Sequence, residues 1–168
     1  MAAIMGAERS LVVDICRQVE QEVGPVQAVN FNCPGQIVIA GGTQAVQEAV
    51  NRLKGAGVKR AVMLPVSAPF HSSLMEPAAA KLAVELEKVT FNDAKVPVVA
   101  NVHGQIVKKA AEIKPLLVKQ AASPVLWEDC MAKIAEFGVD TCVEVGPGKV
   151  LSGFTKKIAK NIVSLNVE

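Results

Sequence analysis

Four strand-like runs and two helical patterns alternate through the first 66 residues. Apolar runs predict strands over residues 2–5, 26–32, 36–40 and 61–66, and the last run is apolar enough to predict a buried strand. Two further segments carry apolar residues at helical spacing, namely Val12, Ile15, Cys16 and Val19, then Val46, Ala49, Val50 and Leu53. The pattern therefore predicts the element order β-α-β-β-α-β.

The connections in this region carry turn and cap signals. Cys33-Pro34-Gly35 separates the two middle strands, and it predicts a hairpin because Pro fixes one φ while Gly accepts a positive φ at the next position. Thr43 is predicted to cap the second helix, which should end at Gly55 and Gly57. Two split β-α-β units in this order form a ferredoxin-like module, so residues 1–66 are predicted to be a small domain of that kind.

Residues 67–168 follow a different pattern, α-β-α-α-β-α-β. Strands are predicted over residues 96–102, 141–145 and 162–167. Helices are predicted after Pro77, over 112–122, around Trp127, Met131 and Ile134, and from Gly146-Pro147-Gly148 to about residue 161. Parallel strands need cover on both faces and neighbours at their edges. Because three strands are too few for these helices, we expect this part to pack against strands outside the chain.

Composition excludes several function classes. The 168 residues are 51% hydrophobic and carry a formal net charge of +2, with no basic stretch interleaved with aromatics, so nucleic acid is not an expected partner. No segment approaches the ~20 apolar residues that span a bilayer, and no signal peptide is recognisable, so a soluble cytoplasmic protein is expected. The four cysteines are scattered, which favours free buried thiols over a metal site or a disulfide framework.

Two histidines are candidates for chemistry. His71 lies in the loop between the last predicted strand of the first part and the next helix, a place where α/β proteins often carry reactive groups. Imidazole can take a proton from a nucleophile and return it to a leaving group near neutral pH, although a loop histidine can also simply cap a helix or face solvent. Ser72 and Ser73 could cap the following helix. His103 precedes Gly104 and is interpreted as an ordinary turn residue.

The remaining polar motifs are ambiguous or absent. No Gly-x-Ser-x-Gly occurs, so none of the seven serines sits on a nucleophile elbow and a hydrolase using one of them is weakly supported. The segment 146–149 could expose amides to an anion, but its spacing matches no phosphate-binding fingerprint, and a strand-to-helix turn is favoured. Asn30, Asn32 and Gln36 flank the hairpin turn, where they could bind a ligand or form the turn itself.

Three segments in register resemble bacterial malonyl-CoA:acyl carrier protein transacylases. They are residues 30–41 (NFNCPGQIVIAG), 70–75 (FHSSLM) and 143–151 (VEVGPGKVL), and the similarity covers essentially the whole chain. The resemblance implies an α/β (α+β) fold class, with residues 1–66 as a ferredoxin-like subdomain. Residues 67–168 would then be the C-terminal portion of an α/β-hydrolase-like core, incomplete by itself.

The resemblance also implies a reaction and a set of site residues. In the family, a serine takes malonyl from coenzyme A and passes it to the phosphopantetheine thiol of acyl carrier protein, with no further cofactor and no metal. His71 matches the general base and acid, and Gln120 matches the residue whose backbone carbonyl orients it. Asn32 and Asn30 match the segment bordering the acyl-CoA channel, and Phe70 matches a position associated with preference for malonyl.

The departures from the family define what this chain lacks. The family's nucleophilic serine, its carboxylate-binding arginine and part of its oxyanion hole precede the segment that begins here. We therefore expect the isolated chain to be inactive, to need the missing N-terminal segment as a partner, and to self-associate through exposed apolar surface. The alternative is a non-enzymatic ferredoxin-like module that binds a ligand or dimerises, in which His71 is inert.

Overall fold

The first six elements follow the predicted β-α-β-β-α-β order in a computed structural model that describes residues 1–168. They are β1 (Ala2–Met5), α1 (Arg9–Glu22), β2 (Val26–Cys33), β3 (Gln36–Gly41), α2 (Thr43–Gly55) and β4 (Arg60–Met63). The strands form one antiparallel sheet in the order β2-β3-β1-β4, in which β1 pairs with both β3 and β4. The predicted hairpin joins β2 to β3, and Gly35 at its turn has a φ of 72°.

The core of this part lies between the sheet and the two helices. The predicted apolar faces of α1 and α2 are buried there together with sheet residues such as Ile4 and Ile39. Burying a side chain such as Leu53 contributes about 1.5–3 kcal/mol relative to leaving it exposed. A smaller buried cluster of Ala3, Val29, Val38 and Ala40 lies on the other face of the sheet. Residues of both sheet faces are therefore buried.

Two predictions for this part are wrong. Strand β4 covers Arg60–Met63 rather than 61–66, and it is an edge strand with Val62 and Met63 exposed, because an apolar run does not show whether a strand has neighbours on both sides. Thr43 is the first residue of α2 and makes no capping hydrogen bond. Gly42 takes the N-cap position instead, and its carbonyl accepts a hydrogen bond from the Val46 N–H at 2.9 Å.

The second part contains four helices and four strands in two small sheets. Its elements are α3 (Glu76–Leu86), β5 (Val98–Ala100), β6 (Gln105–Val107), α4 (Ala110–Ala121), α5 (Trp127–Glu136), β7 (Thr141–Val145), α6 (Val150–Ile158) and β8 (Val163–Val167). Strands β5 and β6 pair antiparallel, and β7 and β8 pair parallel. No helix of the chain is long and apolar enough to cross a membrane.

Strand β6 was not predicted, so this part has four strands where the sequence predicts three. Three residues, Gln-Ile-Val, are too few for an alternating pattern to stand out. The predicted turn at His103 is confirmed, because Ala100 O accepts from Gly104 N at 2.8 Å and His103 Nδ1 accepts from Gln105 N at 3.1 Å. Gly104 has a φ of 65°, and a Cβ there would lie 3.0 Å from the Asp129 Cβ, so the hairpin requires glycine.

The two parts join along β2. Val125 pairs with this strand through two main-chain hydrogen bonds, from Phe31 N to Val125 O at 2.9 Å and from Val125 N to Val29 O at 2.8 Å. Arg9 of α1 supports the junction, since its guanidinium bonds Asp129 at 3.2 Å and lies 4.0 Å from the centre of the Phe31 ring. Strand β2 therefore has β3 on one edge and a segment of the second part on the other.

The β7–β8 pair is covered on one face only. Met131, Ala159 and Ile162 are buried beneath it, among residues of α5 and α6. The opposite face carries Val143, Val145, Val163, Leu165 and Val167, all at least half exposed, and Val145 is 82% exposed. We call these five residues the open sheet face. Parallel strands in folded proteins are normally covered on both faces, so this face lacks its usual cover.

The loop between β7 and α6 is the strand-to-helix turn that the sequence favoured over a phosphate loop. The Glu144 carboxylate accepts hydrogen bonds from Leu151 N at 3.0 Å, Ser152 N at 2.8 Å and Ser152 Oγ at 2.6 Å. A side-chain carboxylate therefore occupies the helix N-terminal amides that an anion would need.

These hydrogen bonds predict a pH-dependent contribution of Glu144 to stability. Those from Ser152 hold the pKa of Glu144 below its ordinary value of 4.5. The contribution is therefore fully present above that ordinary value and is lost as the pH falls through the lowered folded-state pKa. We expect Glu144→Gln to lower the free energy of unfolding at pH 7, and the difference from wild type to shrink toward zero in acid.

Urea unfolding followed by the fluorescence of Trp127, the single tryptophan, measures this difference at each pH. Glu85→Gln is the matched control, because Glu85 is a surface carboxylate whose Lys88 pair is two-thirds exposed. A Glu144→Gln deficit that stays constant from neutral pH to acid would contradict the assignment.

Candidate active site

His71 sits in a strained loop between β4 and α3. Its φ of 63° makes it the only non-glycine residue of the chain in the left-handed region, a conformation that costs an L-residue about 1–2 kcal/mol. The buried Ser72 hydroxyl donates to Pro69 O at 2.7 Å, and Ser73 N donates to Gln27 Oε1 at 2.9 Å. Strained residues held in this way occur preferentially at functional sites.

The histidine ring is oriented by a backbone carbonyl from α4. His71 Nδ1 lies 3.1 Å from Gln120 O. Because a carbonyl oxygen only accepts hydrogen bonds, Nδ1 carries the proton and Nε2 of the neutral ring keeps its lone pair. This is the arrangement in which an imidazole acts as a general base through Nε2.

Gln120 can offer its carbonyl because it lies in the last turn of α4. The final carbonyls of a helix have no intrahelical amide to accept from. Besides the imidazole, Gln120 O meets only amides of the turn that follows, Ala122 N and Ser123 N, the latter at 3.4 Å. The Gln120 side chain also contributes, since Nε2 donates to Ser123 O at 3.1 Å and to Pro124 O at 3.2 Å. These two hydrogen bonds fix the turn after α4 to Gln120, the residue whose carbonyl contacts His71.

None of the other candidate residues is hydrogen-bonded to the side chain of His71 or to the Gln120 carbonyl. Phe70 precedes His71 and is 44% exposed. Asn30 and Asn32 are half-buried on β2, where the register with β3 is irregular between Phe31 and Cys33, and their side-chain amides make no hydrogen bond within the chain. Asn30 bridges Val125, five residues after Gln120, but neither asparagine bonds His71.

Two features of the loop were missed or misassigned from sequence. The Ser72 hydroxyl does not cap the following helix as expected but bonds back to Pro69 O. Gln27, whose side chain holds Ser73 N, was not singled out at all. The only local signal for Gln27 is a polar position in an otherwise apolar stretch of β2, which by itself does not reveal a partner 46 residues away.

The chain presents no nucleophile to His71. No serine hydroxyl bonds the imidazole. The two buried serines have other acceptors: Ser72 donates to Pro69 O and Ser152 donates to the Glu144 carboxylate. Burial raises the pKa of the Cys16 thiol to about 12 and that of Cys130 to about 11, so neither supplies a thiolate at neutral pH. The chain has no group of three His, Cys, Asp or Glu side chains suited to hold a metal ion.

Comparison with known proteins assigns the class of domain. The sequence model described as "Acyl transferase domain" matches residues 4–166. The chain therefore belongs to the acyltransferase domain family.

The individual relatives are malonyl transferases. The chain is 44% identical over 167 residues to the malonyl CoA-acyl carrier protein transacylase of Bacillus subtilis, covering 99% of this chain and 53% of that protein. The structure of an acyl carrier protein S-malonyltransferase from Vibrio cholerae superposes with a TM-score of 0.95 at 43% identity, over 99% of this chain and 54% of that one.

A third relative was solved with a partner. It is a malonyl-transacylase in complex with its type II PKS acyl-carrier protein, with a TM-score of 0.94 at 43% identity, over 99% of this chain and 53% of that one. The resemblance found in the sequence is thus confirmed. The chain spans about half the length of the relatives it matches.

The geometry of the two histidines predicts opposite tautomers. His71 Nδ1 faces an acceptor, Gln120 O, and must be protonated, whereas His103 Nδ1 accepts from Gln105 N and must not be. Nitrogen-15 spectra of the chain with labelled histidine, recorded where both rings are neutral, should show the Nδ1–H form for His71 and the Nε2–H form for His103.

Substituting each histidine in turn assigns the two signals. His71→Asn is the suitable replacement at the strained position, since asparagine accepts a positive φ better than most residues. Finding both rings in the Nε2–H form would contradict the contact between His71 and Gln120.

Proposed function

We propose that this chain is the C-terminal part of a malonyl-CoA:acyl carrier protein S-malonyltransferase of fatty acid biosynthesis. Residues 1–66 form its ferredoxin-like small subdomain, and residues 67–168 form the C-terminal portion of an α/β-hydrolase-like core. The observation that carries the proposal is the 3.1 Å contact between His71 Nδ1 and Gln120 O, which leaves Nε2 free to accept a proton. The antiparallel β2-β3-β1-β4 sheet supports the ferredoxin-like assignment.

In the first step a serine outside this chain attacks the thioester carbonyl of malonyl-CoA. The serine Oγ–carbon bond forms, the carbon–sulfur bond breaks, and the hydroxyl proton moves to His71 Nε2 and on to the departing coenzyme A sulfur. The Gln120 carbonyl stabilises the transient imidazolium through Nδ1–H. It does so less strongly than a carboxylate would, because the carbonyl carries only a partial charge.

In the second step the phosphopantetheine thiol of acyl carrier protein takes the malonyl group. Its sulfur attacks the acyl-serine, its proton passes to His71 Nε2 and then to the serine oxygen, and the serine–acyl bond breaks. The same ring thus serves as base and acid in both steps, which requires no cofactor beyond the substrates. The complex of a related malonyl-transacylase with its acyl-carrier protein supports this partner.

The substrate-binding roles fall on Asn30, Asn32 and Phe70. The two asparagine amides on β2 make no hydrogen bond within the chain, so they are available to a coenzyme A or pantetheine group. Phe70 presents a partly exposed ring directly before the base. A ring at this position crowds an α-methyl substituent and so favours malonyl over larger acyl groups.

The missing N-terminal segment is the proposed cover for the apolar surface of residues 67–168. The open sheet face belongs to two parallel strands whose outer edges pair with nothing. An apolar cavity of about 300 Å³ also lies between β5 and α4, lined by Val98, Val102, Ile113, Leu116 and Gln120 among others. The relatives contain nearly as many further residues as this chain has, which is enough to supply that cover.

We infer that the protein is cytoplasmic. Its four cysteines are free and three of them are buried, which supports this location because thiols remain reduced in the cytoplasm. Malonyl-CoA and acyl carrier protein are then the expected partners, without nucleic acid or membrane.

Complementation in trans tests the proposed activity. We expect this chain to be inactive alone and to transfer malonyl to acyl carrier protein when it is co-refolded with the N-terminal half of the Bacillus subtilis relative. His71→Asn should reduce that activity by a factor of about 100 or more, the usual contribution of a general base. His103→Asn is the matched control and should keep it, since an asparagine oxygen can accept from Gln105 N in place of the ring.

The non-enzymatic alternative gives a different result. If the reconstituted complex binds acyl carrier protein but transfers nothing, or if His71→Asn transfers as fast as wild type, His71 is not the base. The chain would then be a binding module.

Self-association tests the proposed role of the open sheet face. The isolated chain should sediment as concentration-dependent oligomers and bind a hydrophobic dye, because five apolar side chains there meet water. Val145→Lys together with Val167→Lys should reduce both signals. Val84→Lys is the control, since Val84 is 62% exposed on α3, away from that face. A wild-type chain that stays monomeric at high concentration without binding dye would contradict the proposal.

A further inference from the structure

Strand β2 is hydrogen-bonded to both of the segments that carry His71 and Gln120. On the His71 side, the Gln27 side chain accepts from Ser73 N at 2.9 Å, two residues after the histidine. On the Gln120 side, Val29 O accepts from Val125 N at 2.8 Å, five residues after the glutamine. Gln27 and Val29 are two residues apart on β2, so one strand bonds both segments.

The orientation of the Gln27 amide is determined by a second contact. Its Nε2 donates to Glu20 Oε1 of α1 at 3.2 Å. Because a carboxylate only accepts, the amide nitrogen must face Glu20, and the amide oxygen must face Ser73 N. A chain of two hydrogen bonds therefore runs from Glu20 through Gln27 to the loop that carries His71.

The hydrogen bond from Ser73 N to Gln27 matters more for where the His71 loop lies than for the stability of the fold. Ser73 N begins a 3-10 turn, and the first amides of such a turn have no partner within it. A cavity of about 410 Å³ adjoins the contact, lined by Glu20, Gln27, Ser73 and Pro124 among others. Water entering this cavity can satisfy a freed Ser73 N–H, but it cannot hold the strained loop at a defined distance from Gln120.

We propose that Gln27, acting from β2 and oriented by Glu20, is a positioning residue that holds the His71 loop in register with the Gln120 carbonyl. Gln27 itself forms no hydrogen bond with His71 or Gln120. The catalytic consequence rests on the proposed function, whereas the structural consequence is a property of this chain alone and is measured on it.

The test is the tautomer of His71 in the isolated chain with nitrogen-15 histidine. In Gln27→Ala we expect the ratio of the Nδ1–H to the Nε2–H form of His71 to fall about five-fold, the equivalent of one typical hydrogen bond. His103 lies in the β5–β6 turn and should keep its signal, which reports general damage to the fold. Should Gln27→Ala fail to fold, Gln27→Met fills the same space without the amide and takes its place.

Exchanging the residues at positions 20 and 27 distinguishes loss of the hydrogen bond to Ser73 N from loss of packing around Gln27. Gln27→Glu alone places two carboxylates together and should disturb His71. The double variant Glu20→Gln/Gln27→Glu restores a donor on α1 and an acceptor toward Ser73 N, and should return the His71 ratio to that of wild type. An unchanged ratio in Gln27→Ala, or a double variant no better than Gln27→Glu, overturns the proposal.

Activity in the reconstituted enzyme provides a separate readout. Gln27→Ala should lower kcat with little change in KM for malonyl-CoA, and the exchanged pair should recover it. A His71 signal that responds to Gln27 in a chain that never supports transfer would overturn the proposed function and leave the positioning role of Gln27 intact. A kcat unaffected by Gln27→Ala while the tautomer ratio falls would overturn the catalytic consequence.

Discussion

The main-chain pairing of Val125 with β2 is the interaction on which the candidate site depends. Without it, β2 would be an open edge of its sheet, and the turn after α4 would have no fixed place. Two backbone hydrogen bonds contribute only about 1 kcal/mol each, so the contacts of Arg9 with Asp129 and Phe31, and the packing of α5 and α6 near β2, reinforce the junction. Once Val125 is in place, Gln120 lies within reach of the loop that leaves β4.

The candidate site combines a strained backbone at His71 with an uncharged hydrogen-bond acceptor, the Gln120 carbonyl. His71 occupies a left-handed conformation that its residue type does not favour. The hydrogen bonds donated by Ser72 and Ser73, and the one that Gln120 O accepts, therefore have to stabilise it. The carbonyl of Gln120 selects one tautomer without adding a full negative charge. Nε2 of the neutral ring thereby keeps its lone pair.

The two parts of the chain differ in how completely other elements cover the faces of their sheets. The first part buries residues on both sides of its sheet. The second part ends in a parallel pair of strands whose outer face carries five exposed apolar side chains, while its inner face packs on α5 and α6. This asymmetry fits a chain that spans about half the length of its relatives.

The sequence by itself determined the local features, because their signals are local. The helix faces through Val12 and Leu53, the Pro34-Gly35 hairpin and the His103 turn follow from periodicity and backbone preference within a few residues. The family resemblance supplied His71 and Gln120 as a pair. Only the tertiary structure decided the three-residue strand β6, the exposure of β4 and the contact of Gln27 with Ser73 N. A strand of three residues has no readable period, an apolar run does not show which of its neighbours are present, and a hydrogen bond across 46 residues leaves no pattern along the chain.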